Sequence, residues 1–285
     1  MALWYDEEHK GLFRIGLKVR RTLFSGTSEF QKVDIIETES LGRALLLDDT
    51  WMTSEADEKT YHEPIVHPPL CVAPSIERVL IIGGGDGGTA REVLRYPEVR
   101  HVDMVEIDGM VVEACQEFLP TIGTAWSDPR LHVHIDDGIA WVRNEELEPY
   151  DVIIVDGADP VGPAEGLFNQ SFFEACRARL KPRGVFSTQA ESPDMMRRIH
   201  LDMLQVIGDV FPICAPYYGA VTIYPGAYWS WIFASNDVSP SDVVEERVAR
   251  VEQETWLYNR AMHDAMFAVP NHIRLELLRR APATT

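Results

Sequence analysis

Acidic side chains follow four successive apolar segments of this 285-residue chain, and this spacing predicts a binding site for a cation. Asp86 comes after the first segment, Glu106 ends the second, Asp136 and Asp137 follow the third, and Asp156 ends the fourth. Ligands of open α/β sheets bind outside the carboxyl ends of the strands, so we expect these acids to share one pocket. Acids placed for solubility alone would not collect at strand ends. The pocket is therefore predicted to be anionic.

The glycine-rich turn at residues 83–88, GGGDGG, predicts a close approach of the backbone to a nucleoside. Glycine allows sharp turns and has no Cβ to obstruct a ligand. Glu106 closes the next apolar segment about 20 residues later, where an acid can accept hydrogen bonds from ribose hydroxyls. A plain strand-to-helix turn is the simpler alternative, which Glu106 disfavours. Asp86 would repel a pyrophosphate group, so the turn favours a nucleoside that carries positive charge.

The elements that must position these residues alternate between strand and helix beyond residue 74. Strands are predicted at residues 79–82, 102–107, 131–135, 152–155 and 184–188. Helices are predicted at residues 89–96, 110–118, 139–144, 168–180 and 193–210. This order predicts a mostly parallel sheet with helices on both faces. Residues 213–218 and 229–234 are expected to add an antiparallel pair, and residues 239–251 a terminal helix.

The first 74 residues show a different pattern. Apolar and β-branched residues at 12–24, 30–37 and 43–47 are separated by turn signals, which predicts a small antiparallel β-strand domain. A helix is expected to begin in residues 60–66 and to end near Pro68 and Pro69, since proline disrupts a helix interior. Pro74 marks the predicted boundary between domains 1–74 and 75–285.

Composition excludes several classes of protein. The 45 acids and 26 basic residues give a net charge of −19, which argues against binding nucleic acid through its phosphates. No apolar run reaches about 18 residues and no secretory leader is evident, so neither a membrane span nor export is expected.

Four cysteines without a CxxC pair are expected to be reduced thiols of a cytoplasmic protein. The histidines do not show the spacing of metal ligands, so no metal site is predicted. No GxSxG motif of a hydrolase occurs.

The motifs that carry these acids resemble the spermidine synthase (polyamine aminopropyltransferase) family over nearly the whole chain. Longer matches are GGGDGGTAREVLRYPEV at 83–99, VEID at 105–108, IDDG at 135–138 and, most diagnostic, YDVIIVDGADPVGPAEGLF at 150–168. Shorter matches are FQ at 30–31, YHE at 61–63, TQAES at 188–192 and LYNRAMHDAMFAVP at 257–270.

The resemblance implies a methyltransferase-like Rossmann domain after a small β-strand domain, and assembly into a homodimer or homotetramer. It also implies two small-molecule substrates, decarboxylated S-adenosylmethionine as aminopropyl donor and a diamine, usually putrescine, as acceptor. Spermidine and 5′-methylthioadenosine would be the products, with no permanently bound cofactor. Decarboxylation leaves the donor with a sulfonium and an ammonium group, which agrees with an anionic pocket because each buried charge needs a partner.

Motif positions assign roles to individual residues. Asp156 is the implied proton acceptor. Implied donor-binding residues are Gln31, Gly83, Gly84, Gly85, Asp86, Glu106, Asp137, Gly138 and Pro163. Implied acceptor-binding residues are Tyr61, His62, Asp86, Asp156, Asp159, Gln189 and Tyr224. His62 is expected to be a neutral hydrogen-bonding group, and Asp136 a solvated or capping acid. Residues 157–168 are expected to form a loop that closes over both substrates.

Several alternatives remain open at this point. The simpler interpretation of Tyr61 and Tyr224 is that they are ordinary amphipathic residues. The simpler interpretation of His62 is that it is a packing histidine. One alternative is that the acceptor is agmatine, cadaverine or a longer polyamine instead of putrescine. A methyltransferase using S-adenosylmethionine and a non-catalytic polyamine-binding protein are the competing functions. The three acids Asp86, Asp156 and Asp159 disfavour the methyltransferase, because they would repel the carboxylate of intact S-adenosylmethionine.

Overall fold

The computed structural model describes residues 3–9, 13–158 and 166–280, whose strands form one sheet of five and one of seven. The first sheet has the order β1-β2-β3-β4-β5, with every neighbouring pair antiparallel. Its strands are β1 (Leu3–His9), β2 (Phe13–Thr27), β3 (Lys32–Thr38), β4 (Arg43–Leu47) and β5 (Thr50–Ser54). The predicted antiparallel unit is confirmed, but β1 and β5 were missed. The sequence of β1, LWYDEEH, carries four polar residues that conceal its strand character.

The second sheet has the order β11-β12-β10-β9-β6-β7-β8. Its strands are β6 (Arg78–Gly83), β7 (His101–Glu106), β8 (Leu131–Ile135), β9 (Tyr150–Asp156), β10 (Leu180–Gln189), β11 (Ile213–Gly219) and β12 (Trp229–Ser235). Strands β6 to β10 pair in parallel, and β12 pairs antiparallel with both β10 and β11. The predicted strands and the antiparallel pair are confirmed. β10 begins at Leu180 rather than Gly184, with a register irregularity between Leu180 and Val185.

The helices are α1 (Lys59–Val72), α2 (Gly88–Val93), α3 (Gly109–Phe118), α4 (Gly138–Arg143), α5 (Gln170–Arg179), α6 (Arg197–Val210), α7 (Glu245–Val251), α8 (Arg260–Met266) and α9 (Asn271–Arg280). Two predictions were wrong. α1 continues through Pro68 and Pro69, because it is buried along residues 60–72 and packs against α2 and β10. The predicted terminal helix begins at Glu245 rather than Ser239, and two further helices follow it.

Helices cover both faces of the seven-stranded sheet, which confirms the α/β, Rossmann-like architecture. α1, α2 and α7 contribute to the core on one face, and α5 and α6 to the core on the other. α3 packs against the first sheet through Val111, Ala114 and Cys115, which meet Val33 and Ile35. Strands β4 and β5 of the first sheet line a common cavity with the carboxyl ends of β6 and β7, where the predicted acids lie.

No helix within the described ranges is long and apolar enough to cross a membrane. The domain boundary at Pro74 remains a prediction. The four cysteines are free thiols, with Cys71, Cys115 and Cys176 buried and Cys214 half-buried.

Candidate active site

A cavity of about 350 Å³ lies between the two sheets and gathers the predicted acids. Asp86, Glu106, Asp137 and Asp156 line it together with Asp48. Predicted residues that also line it are Gln31, Tyr61, His62, Gly83, Gly84, Gly85, Gly138 and Tyr224. The described lining contains neither lysine nor arginine. Within the described lining, His62 is therefore the only basic side chain beside these carboxylates.

The glycine turn holds Asp156 in place through close backbone packing. Gly83 pairs with Asp156 across β6 and β9, and the N–H of Gly84 donates to the carbonyl oxygen of Asp156 at 3.0 Å. A Cβ at Gly83, where φ is +83°, would lie 2.2 Å from that carbonyl oxygen. Glycine is required here for both its conformation and its size.

The carboxylate of Asp156 accepts two hydrogen bonds. The Tyr61 hydroxyl donates to Oδ1 at 2.7 Å, and the Thr89 hydroxyl donates to Oδ2 at 2.6 Å. Burial raises the pKa of Asp156, and the negative charge of Asp86 adds to this effect. Together they outweigh the charge of His62 and both hydrogen bonds. Asp156 is therefore a stronger base than an ordinary aspartate.

The pKa of Asp86 is shifted in the opposite direction. The N–H of Gly88 donates to its Oδ1 at 2.8 Å, and Nε2 of His62 lies 3.2 Å from its Oδ2. Burial favours the neutral acid. The charge and hydrogen bond of His62, helped by the N–H of Gly88 and the charge of Arg91, outweigh burial and lower the pKa of Asp86. Asp86 therefore stays ionised in the cavity.

His62 lies between two carboxylates and is only 2% exposed. Its Nδ1 contacts Oε2 of Glu58 at 2.7 Å, and its Nε2 contacts Asp86. Burial lowers the pKa of His62, but the two acids raise it well above the usual value. The predicted neutral state is therefore wrong for this site, which favours the imidazolium. Both ring nitrogens are engaged, so His62 supports Asp86, while its predicted contact with the acceptor remains a prediction.

Three consecutive side chains of α1 reach three separate targets. Tyr61 donates to Asp156 and His62 contacts Asp86. Glu63, 1% exposed, accepts from the N–H groups of Trp256, Leu257 and Tyr258 at 2.7–2.8 Å. One helix thus supports Asp86 and Asp156 and anchors the segment that follows α7.

Glu106 ends β7 beside the glycine turn. Its Oε1 accepts from the N–H of Asp108 at 3.0 Å, and a Cβ at Gly85 would lie 2.9 Å from its Oε2. Burial raises the pKa of Glu106 to about 7, partly offset by backbone hydrogen bonds and reinforced by Asp108. Nε2 of Gln31 donates to Oδ2 of Asp108 at 3.0 Å, so Gln31 lies beside Asp108.

Asp137 begins α4 as its N-cap. Its Oδ1 accepts from the N–H groups of Ile139 at 2.7 Å and Ala140 at 3.4 Å. The capping role considered for Asp136 therefore belongs to Asp137, while Asp136 is exposed to solvent. A Cβ at Gly138 would lie 2.4 Å from Cγ2 of Ile82, so the helix can begin this close to β6 only with glycine.

A smaller cavity of about 30 Å³ shares Tyr61 and Tyr224 with the main one, and Gln189 and Glu7 also line it. The rings of the two tyrosines meet edge to face at 5.6 Å, and the Tyr224 hydroxyl donates to the carbonyl of Met52 at 2.6 Å. Gln189 is not in the lining of the main cavity.

Some predicted residues are not among those that the structure describes, and some supporting residues were not predicted. Asp159, Pro163 and most of the predicted closing loop lie outside the described residues. Four residues at or behind the two cavities were not predicted: Glu7, Glu58, Thr89 and Arg91. Thr89 and Arg91 directly follow the glycine turn, and Glu58 precedes His62 by one helical turn, which are local signals for a supporting role.

Two family models together match most of the chain. One, described as "Spermine/spermidine synthase domain", matches residues 58–243, and the other, "Spermidine synthase tetramerisation domain", matches residues 3–55. Two relatives from Prochlorococcus marinus are named polyamine aminopropyltransferase. That of strain MIT 9313 is 55% identical over 235 residues, 82% of each chain. That of strain NATL1A is 45% identical over 280 residues, 97% of this chain and 96% of the relative.

Solved structures show the same architecture. A spermidine synthase in complex with the transition state analogue AdoDATO matches with a TM-score of 0.94 and 39% identity, over 97% of this chain and 95% of that chain. The spermidine synthase from Thermotoga maritima matches with a TM-score of 0.92 and 39% identity, over 97% and 94%. The chain therefore belongs to the spermine/spermidine synthase family of polyamine aminopropyltransferases.

Proposed function

We propose that this protein transfers the aminopropyl group of decarboxylated S-adenosylmethionine to putrescine, giving spermidine and 5′-methylthioadenosine. The observation that carries this proposal is the pair Asp86 and Asp156, which face one cavity whose described lining has no lysine or arginine. Such a cavity suits a donor that has lost its carboxylate and kept two positive charges. The related structure that holds a transition state analogue supports the proposal.

The nucleoside half of the donor fits the Glu106 side of the cavity. Glu106, once ionised, can accept from two ribose hydroxyls, and the glycine turn leaves room beside it. Asp137 uses Oδ1 to cap α4, which leaves Oδ2 for the adenine amino group. We assign the ammonium end of the donor to Asp86, whose lowered pKa keeps it charged.

The reaction we propose is a direct displacement. The nitrogen of putrescine attacks the propyl carbon bonded to sulfur, and the C–S bond breaks with its electron pair going to sulfur. The sulfonium thereby leaves as a neutral thioether and needs no proton. The attacking amine must lose a proton, which we assign to Asp156, because its raised pKa makes it the better acceptor.

Deprotonation of the amine is the main cost. An alkylamine with a pKa of about 10.4 requires roughly 4–5 kcal/mol to be neutral at about pH 7. The nearby sulfonium lowers the pKa of the amine through like-charge repulsion. One carboxylate oxygen of Asp156 accepts the amine proton, while the hydroxyls of Tyr61 and Thr89 hold the two oxygens in position. Alignment within the cavity supplies the rest of the rate enhancement.

The acceptor is assigned to the region where the main and the smaller cavity meet, which Tyr61 and Tyr224 both line. Because both rings line both cavities, we place a short diamine along them with its far ammonium toward Gln189 and Glu7 of the smaller cavity. Asp159 is the further acid that we assign to that ammonium. One methylene changes binding by only about 1–3 kcal/mol, so cadaverine is expected as a slower acceptor.

We also propose that the protein assembles into a homodimer or homotetramer through its first sheet. Residues 3–55 match the tetramerisation model, and β1 at the sheet edge exposes Leu3 and Trp4 at 57% and 58%. Light scattering coupled to gel filtration tests this, and a monomer at micromolar concentration would contradict it.

An acceptor panel tests the proposed function. The purified protein is incubated with the donor and with putrescine, cadaverine, agmatine or spermidine, and methylthioadenosine and polyamine products are measured by mass spectrometry. We expect putrescine to have the highest kcat/KM. Preference for agmatine or spermidine would change the acceptor and keep the chemistry. Methyl transfer from S-adenosylmethionine, or no product with any acceptor, would contradict aminopropyl transfer.

A further inference from the structure

Two charged side chains, Glu58 and Arg91, are buried directly behind the cavity without lining it. Glu58 precedes α1 and is 3% exposed, and Arg91 in α2 is 9% exposed. Replacement of a buried ion pair by apolar side chains is often neutral or stabilising, so stability alone gives little reason for these charges. Their contacts suggest a different role.

The pair is joined to the cavity by a continuous line of contacts. Nη1 and Nη2 of Arg91 donate to the two carboxylate oxygens of Glu58 at 3.0 and 2.7 Å. Oε2 of Glu58 contacts Nδ1 of His62 at 2.7 Å, and Nε2 of His62 contacts Oδ2 of Asp86 at 3.2 Å. We call this line, Arg91–Glu58–His62–Asp86, the charge chain.

We propose that Glu58 and Arg91 are positioning residues, which hold His62 with a proton on each ring nitrogen and thereby fix the carboxylate of Asp86 toward the cavity. An ionised Glu58 can only accept, so Nδ1 of His62 must donate to it, and the same holds for Nε2 and Asp86. This inference rests on the proposed role of Asp86 as the anchor of the donor ammonium group.

Asp86 has little freedom within this arrangement. Its Oδ2 is fixed by His62 and its Oδ1 by the N–H of Gly88 at 2.8 Å. Each oxygen retains a lone pair for a ligand. Loss of Glu58 would allow the His62 ring to turn or to lose a proton, and a bare ring nitrogen facing Asp86 would repel it.

Several charged and titratable groups face His62. Glu58 and Asp86 contact it, the ring of Tyr61 lies edge-on at 5.4 Å, and the charge of Asp156 is near. Burial opposes the charged ring, and the two contacting acids overcome it. When a cationic donor binds Asp86, part of that negative charge is compensated. Glu58 is then the acid that keeps the ring protonated, and Arg91 keeps Glu58 in place.

A double-mutant cycle tests the charge chain. Glu58→Gln and Arg91→Lys are each expected to lower kcat/KM for the donor by roughly tenfold or more, an effect of the size usual for residues of one hydrogen-bonded network. In a His62→Gln background, Glu58→Gln should cause less than about a twofold further loss. Arg95→Lys is the matched control, because Arg95 pairs with Glu92, as Arg91 also does, and with Glu254, but does not contact Glu58. It should change kcat/KM by less than about twofold.

These outcomes separate positioning from general destabilisation. An equal loss from Glu58→Gln in both backgrounds, or an Arg95→Lys effect as large as that of Arg91→Lys, would overturn the proposal. If Glu58→Gln does not fold, Arg91→Lys alone is compared in the two backgrounds, since it retains the positive charge.

A second measurement needs no substrate. Nitrogen-15 spectra of the histidine rings, with His62 assigned by its loss in His62→Gln, report the proton on each ring nitrogen. We expect both nitrogens of His62 to be protonated near neutral pH, and one to be bare in Glu58→Gln. A neutral His62 ring in the wild-type protein would overturn the proposal. A wild-type protein with a doubly protonated ring and no aminopropyl transfer would instead contradict the proposed function.

Discussion

Asp86 and Asp156 face the same cavity, yet the pKa of Asp86 lies below the ordinary value and that of Asp156 lies above it. His62 contacts Asp86 directly, whereas neutral hydroxyls bond to Asp156. Titratable groups whose environments separate their pKa values commonly divide the roles of acid, base and electrostatic partner. We therefore assign charge recognition to Asp86 and proton acceptance to Asp156.

Asp156→Asn should abolish proton acceptance while preserving the shape of the site. We expect kcat to fall by about 10²–10⁴-fold, the usual contribution of a general base, with donor binding still measurable by calorimetry. Asp136→Asn is the matched control, because Asp136 is exposed and does not line the cavity. Near-normal turnover in Asp156→Asn would remove Asp156 from the catalytic role.

The ribose contact should depend on pH through Glu106. Its pKa of about 7 means that the carboxyl group is protonated at lower pH and cannot accept from two hydroxyls. We expect the Kd for methylthioadenosine to increase as the pH falls below about 7, and this dependence to disappear in Glu106→Gln. A wild-type Kd that stays constant through that range would show that Glu106 does not bind the ribose.

Glu106 should also make stability depend on pH. Its pKa rises from 4.5, the ordinary value, to about 7 in the folded protein, so the folded state holds this proton more tightly than the unfolded state. The free energy of unfolding should therefore decrease as the pH rises from 4.5 to about 7. At about 1.36 kcal/mol per pH unit, Glu106→Gln should be more stable than wild type by up to ~3 kcal/mol at about pH 8. Urea unfolding at low and high pH measures this, and a variant that is less stable at high pH would refute it.

Gly88 allows His62 to pack against the glycine turn. A Cβ at Gly88 would lie 2.3 Å from Cε1 of His62, so Gly88→Ala should destabilise the protein by about 1–3 kcal/mol. In a His62→Ala background the clash is absent, and the same substitution should be neutral or stabilising by up to about 1 kcal/mol. Gly208→Ala in α6 is the control, because its Cβ would meet only Cys214 at 3.9 Å. Equal effects of Gly88→Ala in both backgrounds would contradict this account.

The cavity acids were predictable because they depend on local patterns. Asp86 lies within the glycine turn and Glu106 and Asp156 end apolar segments, and parallel strands necessarily bring such ends together. The strands of the seven-stranded sheet were predicted for the same reason, since apolar runs and turn residues are visible over short windows, whereas β1 and β5 lack so clear a pattern.

The pairing of charged residues behind those acids was not predictable, although single members lie next to the glycine turn or one helical turn from His62. Arg91 and Glu58 are 33 residues apart and meet only because α1 packs on α2. The charged state of His62 depends on Glu58, one helical turn away, and on Asp86, which His62 meets only through tertiary packing. The continuation of α1 through Pro68 also depends on burial by other elements, which outweighs the local preference of proline.

The comparison of two sulfonium compounds tests the central claim most directly. Calorimetric titration of the wild-type protein with decarboxylated S-adenosylmethionine and with S-adenosylmethionine measures whether the cavity rejects a carboxylate beside Asp86 and Asp156. We predict that the decarboxylated compound binds at least roughly a hundredfold more tightly, a difference of about 2.7 kcal/mol. Equal affinity, or tighter binding of S-adenosylmethionine, would contradict the account.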